Sequence, residues 1–225
     1  MKGSRPQSFQ SGSLRSRMER LGGLPLRPCS AIHLLNGTQN FLARYSADED
    51  SILIDPGWCL VRSRPESFQT QLHLASLPWW TVCKGPAAES RDRLWRYCVA
   101  TAIAAERIAT LRGDPDPESV GRAGLLHPIA LWALAATEPN QLSEWMALDR
   151  EDERTLFEAQ CFGCDAPTFG AHLARSWGCG PELADAALMA GMRKSVPREV
   201  THDPVQLEWL LIACGWAMST PWALP

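Results

Sequence analysis

Asp-Pro pairs stand directly ahead of apolar-periodic runs at Asp55-Pro56, Asp116-Pro117 and Asp203-Pro204. This pairing commits the chain to helix at those points. The carboxylate accepts N–H groups that a first turn leaves open, while proline has no N–H to lose and already holds a helical φ. Stops are marked as well: Gly163 and Gly178 follow apolar runs, at the place where a left-handed residue closes a helix. Between these marks apolar residues recur every three or four positions. The clearest run is 91–112, with Leu94, Cys98, Ala102, Ala105 and Ala109 along one stripe. Small residues on that stripe predict close approach by a second helix. No stretch alternates with period two. The expectation is an all-α fold, a single compact multi-helix domain with short connections and one core.

One break in the pattern stands out. In "AGLLHPIALWAL", residues 123–134, His127 is the lone polar side chain and Pro128 follows it. A proline pushes its predecessor out of the α region, so a helix opened by Asp116 stops at His127 and another restarts at once. His127 is therefore expected at a helix–helix junction, its ring nitrogens bonded to backbone groups that Pro128 leaves open.

Charge divides the chain unevenly. Residues 1–28 carry Lys2, Arg5, Arg15, Arg17, Arg20 and Arg27 against Glu19 alone, although the net charge of the whole chain is −3. Rich in Ser, Gly and Arg and without an apolar period, this segment is expected to be a flexible basic tail, ahead of a helical domain over 29–225. The overall balance argues against nucleic-acid binding by bulk electrostatics, and the tail lacks interleaved aromatics. No apolar run reaches the length of a membrane span, and no apolar core follows the N-terminal charges as in a secretory signal. Cysteines 29, 59, 83, 98, 161, 164, 179 and 214 fall mostly in apolar helical patterns, as small hydrophobes do. The expectation is a cytoplasmic protein with reduced thiols.

Candidate chemistry is sparse. Neither a phosphate-cradling Gly-rich loop nor a defensible Ser-His-Asp or Cys-His arrangement occurs. Cys161, Cys164, His172 and Cys179 supply enough ligands for a tetrahedral zinc, but His172 lies on a helix whose core face runs through Phe169, Leu173 and Trp177. An exposed histidine with half-buried thiols is the simpler reading. Asp149, Glu151, Asp152 and Glu153 gather at a helix start, where negative charge complements the macrodipole. Trp79-Trp80, after Pro78, are the tryptophans placed in a loop, where amphipathic rings can serve a partner.

"LWRYCVATAIAAERIA", "VGRAGLLHPIALWAL" and "FGCDAPTFGAHLARSWGCGP" follow one another in the order and spacing of the HDOD family. The matching positions include Gly163, Asp165, Gly170, Ala171, Leu173, Ala174 and Trp177, and the upstream "ILIDPGW" extends the likeness toward residue 45. This resemblance implies an all-helical domain related to HD-type metal-dependent phosphohydrolases, most members of which have lost the metal ligands. It implies a regulatory, protein-binding module of bacterial signalling, acting on a kinase, response regulator or output enzyme. Carried onto this chain, the first histidine position falls at Tyr97, the His-Asp pair is His127-Pro128, and a later His-His end falls near Met189-Ala190. One imidazole remains, which is too few ligands for a catalytic metal. No catalytic, cofactor-binding or metal-binding residue is therefore nominated. Two alternatives follow from the same residues. One is a degenerate phosphohydrolase that still binds a phosphate or nucleotide, for which Arg122 and Arg96 are the available cations near His127; the other is a zinc-stabilised structural protein.

Overall fold

A computed structural model describes residues 11–24, 56–62, 85–189, 204–219 and 224. Among them the regular elements are helices only: α1 (Ser11–Arg20), α2 (Pro56–Arg62), α3 (Pro86–Arg112), α4 (Pro117–Leu126), α5 (Ile129–Thr137), α6 (Pro139–Met146), α7 (Glu151–Phe162), α8 (Ala166–Ser176), α9 (Pro181–Met189) and α10 (Pro204–Ala217). The caps Asp55 and Asp203, Trp79-Trp80 and Ala190 lie outside the described residues.

Among the described residues the helix starts and glycine stops fall where their chemistry predicts. But His127, expected outside the α region ahead of Pro128, keeps helical angles (φ −51°, ψ −38°), and the chain breaks one residue later, at Pro128 itself (φ −88°, ψ 47°). Asp116 accepts from Ser119 N at 3.1 Å to cap α4, and Asp165, not anticipated as a cap, accepts from Thr168 N at 2.7 Å to open α8. Gly163 closes α7 at φ 78°, in the left-handed region. At the start of α7 the cap position is Arg150 rather than Asp149, and Glu151, Asp152 and Glu153 fill the first turn. Helix α6 carried no sequence mark beyond Pro139: its cap position, Glu138, makes no side-chain capping bond, its carboxylate pairing with Arg17 at 2.6 Å instead.

Helix α3 is the spine, about 40 Å long for its 27 residues. Helices α4 and α10 pack along it and α6 meets it as well. The close approach predicted from its small residues is made by α4. A Cβ on Gly124 would come within 2.9 Å of Ala102 Cα, so only glycine lets the two backbones sit this near. Helix α5 is buried all round from Ile129 to Ala135, which makes it the central core helix. It packs against α6 and α8, and α8 pairs with α9.

The interior divides into two adjoining apolar clusters rather than one core. The larger is built around Trp132, Phe162, Phe169, Leu60 and Met18. The smaller joins the C-terminal half of α3 to α9 and α10 through Ala105, Ala109, Met189, Leu207 and Leu210.

The N-terminal segment departs from expectation. Residues 11–20, placed in a flexible tail, form α1, and Leu14, Met18 and Leu24 are buried in the larger cluster. Arg15 donates to Phe162 O at 3.2 Å and stands 5.4 Å from the centre of the Phe169 ring. Glu19 links Arg15 (2.9 Å) to His172 (3.1 Å), and Trp177 Nε1 donates to Glu19 O at 3.2 Å. The physical reason is that three apolar residues suffice to anchor a short helix when a finished surface of α7 and α8 receives them. Sequence periodicity over ten polar-rich residues cannot reveal that surface.

Candidate functional site

The site to inspect is the junction of α4 and α5, because the one surviving imidazole is there. Pro128 has no N–H, so Gly124 O loses its intrahelical donor, and the break also opens Leu125 O. Both carbonyls are taken by side chains. His127 Nδ1–H donates to Gly124 O at 2.7 Å, and Trp132 Nε1–H donates to Leu125 O at 3.1 Å. Since a carbonyl can only accept, Nδ1 carries the proton and the neutral ring leaves Nε2 as its acceptor.

That second nitrogen faces protein. Cys214 Sγ, from α10, lies 3.9 Å from Nε2, and the Tyr97 hydroxyl contacts the same sulfur. The Tyr97 ring meets the imidazole edge-on, centres 5.6 Å apart at 64°. His127 is 3% exposed. Burial, opposed only partly by the bond to Gly124, pulls its pKa down to about 4, so the ring is neutral at ordinary pH. Burial likewise pushes the Cys214 thiol up to about 11 and raises the Tyr97 phenol and the Cys98 thiol. The whole group is therefore uncharged, and neither thiol has the thiolate character that nucleophilic chemistry needs.

These residues do not fit a hydrolytic divalent metal. Tyr97 and His127, the first and second positions of the ligand set, do meet in space. Pro128, at φ −88°, offers no donor and only turns the chain. Met189 is buried in the smaller apolar cluster. The groups around Nε2 are a phenol and a neutral thiol, where a hard ion needs carboxylate and water. Neither cation proposed for a phosphate site serves one: Arg122 is drawn to Glu118 at 2.9 Å and Asp116 at 3.7 Å, and Arg96 is exposed.

The cysteine constellation is dispersed in the same way. Cys161 Sγ points at Gln141 Oε1, 3.5 Å away. His172 turns to Glu19, and Cys164 and Cys179 are half-buried. Among the described residues no three His, Cys, Asp or Glu side chains converge as a metal-binding group.

Sequence reading missed Cys214 at this site, and it missed Glu158 altogether. Cys214 lies 87 residues from His127 and entered the sequence only as one apolar thiol among eight. Glu158 is 9% exposed. It accepts from Trp145 Nε1 at 2.8 Å and from Ala166 N at 2.7 Å, tying α6, α7 and the start of α8 together. A glutamate inside a charged heptad gives no local sign of that role.

Comparison with known proteins agrees with this architecture. No curated protein matches the chain in sequence. Among solved structures, the MmoQ response regulator from Methylococcus capsulatus str. Bath is similar with a TM-score of 0.60 at 19% identity, over 88% of this chain and 90% of that one. An HDOD domain protein from Geobacter sulfurreducens is similar with a TM-score of 0.56 at 20% identity, over 96% of this chain and 80% of that one. At such identities the likeness is one of fold. The HDOD domain family model matches residues 81–190, the stretch that holds Tyr97, His127 and the Gly163–Trp177 signature. The likeness read upstream toward residue 45 lies outside that match. Residues 81–190 are thus matched as an HDOD domain, and the regular elements of the described residues are all helical.

Proposed function

We propose that this protein is a non-catalytic regulatory module that works in the bacterial cytoplasm by contacting another signalling protein, such as a kinase, a response regulator or an output enzyme. The observation that carries the reading is the closed state of His127. Both ring nitrogens have partners, the ring is sealed from water, and the residue after it is proline. Hydrolysis at this position needs an open imidazole, a carboxylate and an activated water together. A side chain spent on completing a helix end serves rigidity instead. The signalling setting is taken from the family and from a structural relative that is itself a response regulator. Among the described residues no helix is long and apolar enough to cross a membrane.

The test is the metal content of purified, untagged protein by mass spectrometry, together with phosphatase and phosphodiesterase assays in added manganese. The expected result is less than about a tenth of an equivalent of any transition metal and no turnover. Iron or manganese near one equivalent, lost in His127→Asn, would overturn the reading in favour of an enzyme. Zinc near one equivalent, lost in Cys161→Ser or Cys179→Ser, would replace it with the zinc-stabilised alternative.

A further inference from the structure

Helix α10 has two unlike faces. Inward it buries Leu207, Leu210, Ala213 and Ala217. Outward it shows Val205, Ile212 and Trp216, which are 51%, 51% and 54% exposed. Their spacing of seven and then four residues sets them in one stripe, with half-buried Trp209 between them. Leu111, at the end of α3, is 70% exposed. A groove between the two helices is lined by Arg112, Val205, Glu208, Trp209 and Ile212. Aromatic and arginine side chains gathered on an apolar strip are the composition of protein contact surfaces, and tryptophan is the commonest anchor within them.

We infer that this α10 face is a self-association surface whose occupant is a second copy of the same chain, related by a two-fold axis through the groove. Charge selects that occupant. Arg112 and Glu208 flank the apolar strip, both are exposed, and neither has an ion-pair partner among the described residues. A strongly basic or strongly acidic partner satisfies one of them and opposes the other. A two-fold copy sets each Arg112 against the other chain's Glu208 and lays apolar strip on apolar strip, so the surface is complementary to itself. Helix α10 is about 21 Å long for its 14 residues, which puts the contact at the small end of specific interfaces and makes the dimer concentration-dependent. The inference is independent of the non-catalytic reading, because it rests on no feature of the His127 junction.

Sedimentation velocity on the full chain, from about 1 to about 100 µM, tests it. The expected result is a sedimentation coefficient that climbs from monomer toward dimer across that range. Ile212→Glu should weaken association at least about tenfold while leaving far-ultraviolet circular dichroism unchanged, as suits a half-exposed position. Arg112→Glu and Glu208→Arg should each weaken it, and the two together should recover affinity to within about threefold of the native chain. A monomer at every concentration overturns the inference. So does a dimer indifferent to Ile212→Glu, which would place the contact elsewhere, or a double charge exchange no better than either single one, which would mean that Arg112 and Glu208 do not meet across the axis.

Discussion

Two buried polar side chains complete helix ends in this fold, and they do so at very different range. His127 fills a carbonyl three residues behind it, in the gap its own neighbour Pro128 creates. Glu158 reaches Ala166 N at the start of α8 and Trp145 on α6, eight and thirteen residues away. The first is a neutral ring held by one strong local bond; the second is a carboxylate shared between three helices. The common lesson is that these internal helix ends are satisfied by side chains. Where donor and gap are neighbours the sequence announces the device, and where they are brought together by packing it does not.

Breaking the longer-range junction should cost most. Glu158→Ala leaves Trp145 Nε1 and Ala166 N without their acceptor, and two bonds to a charged group imply a loss of about 4 kcal/mol in chemical denaturation. A loss below about 1 kcal/mol would mean that Glu158 organises nothing, and the contrast with His127 would collapse.

The local junction is tested by pH. Burial sets the His127 pKa near 4, against an ordinary value of 6.5. Between those values the unfolded chain binds a proton that the native ring refuses, so stability is complete above about pH 6.5 and falls as the pH drops toward 4. The full loss amounts to about 3 kcal/mol. His127→Asn keeps a donor for Gly124 O but cannot titrate. Its stability, measured by denaturation at several pH values, should vary less across that window than that of the native chain. Parallel curves would assign the acid loss to other groups.

The smallest effect is expected where the filled helix end lies near solvent. Arg15 caps Phe162 O from α1, yet its side chain remains 39% exposed. Arg15→Ala should therefore cost only about 1 kcal/mol overall. It should also raise amide exchange in α1 before it does so in α7 or α8. Uniform exchange across the three helices would show that α1 unfolds with the core rather than ahead of it.

Much of this was legible in the residues themselves. Proline, aspartate and glycine act through bonds within four positions, so Pro117, Asp116, Gly163 and the break at Pro128 speak for themselves. The small residues of α3 also announced a close neighbour, and Gly124 against Ala102 supplies it. Helix α1 was not legible. Its buried Leu14 and Met18 sit among arginines and serines, and what recruits them is a surface formed by residues nearly 150 positions later. The pairing of Cys214 with His127 was hidden for the same reason.

Sequence alone therefore determined the helical class, the places where helices begin and break, and the missing carboxylate after His127, because each depends on covalent neighbours. The tertiary structure decided which carbonyl or nitrogen each buried polar group finds, that a basic N-terminal stretch becomes a packed helix, and which face of α10 stays exposed. Those outcomes depend on burial, and burial is a property of the assembled core rather than of any local run of residues.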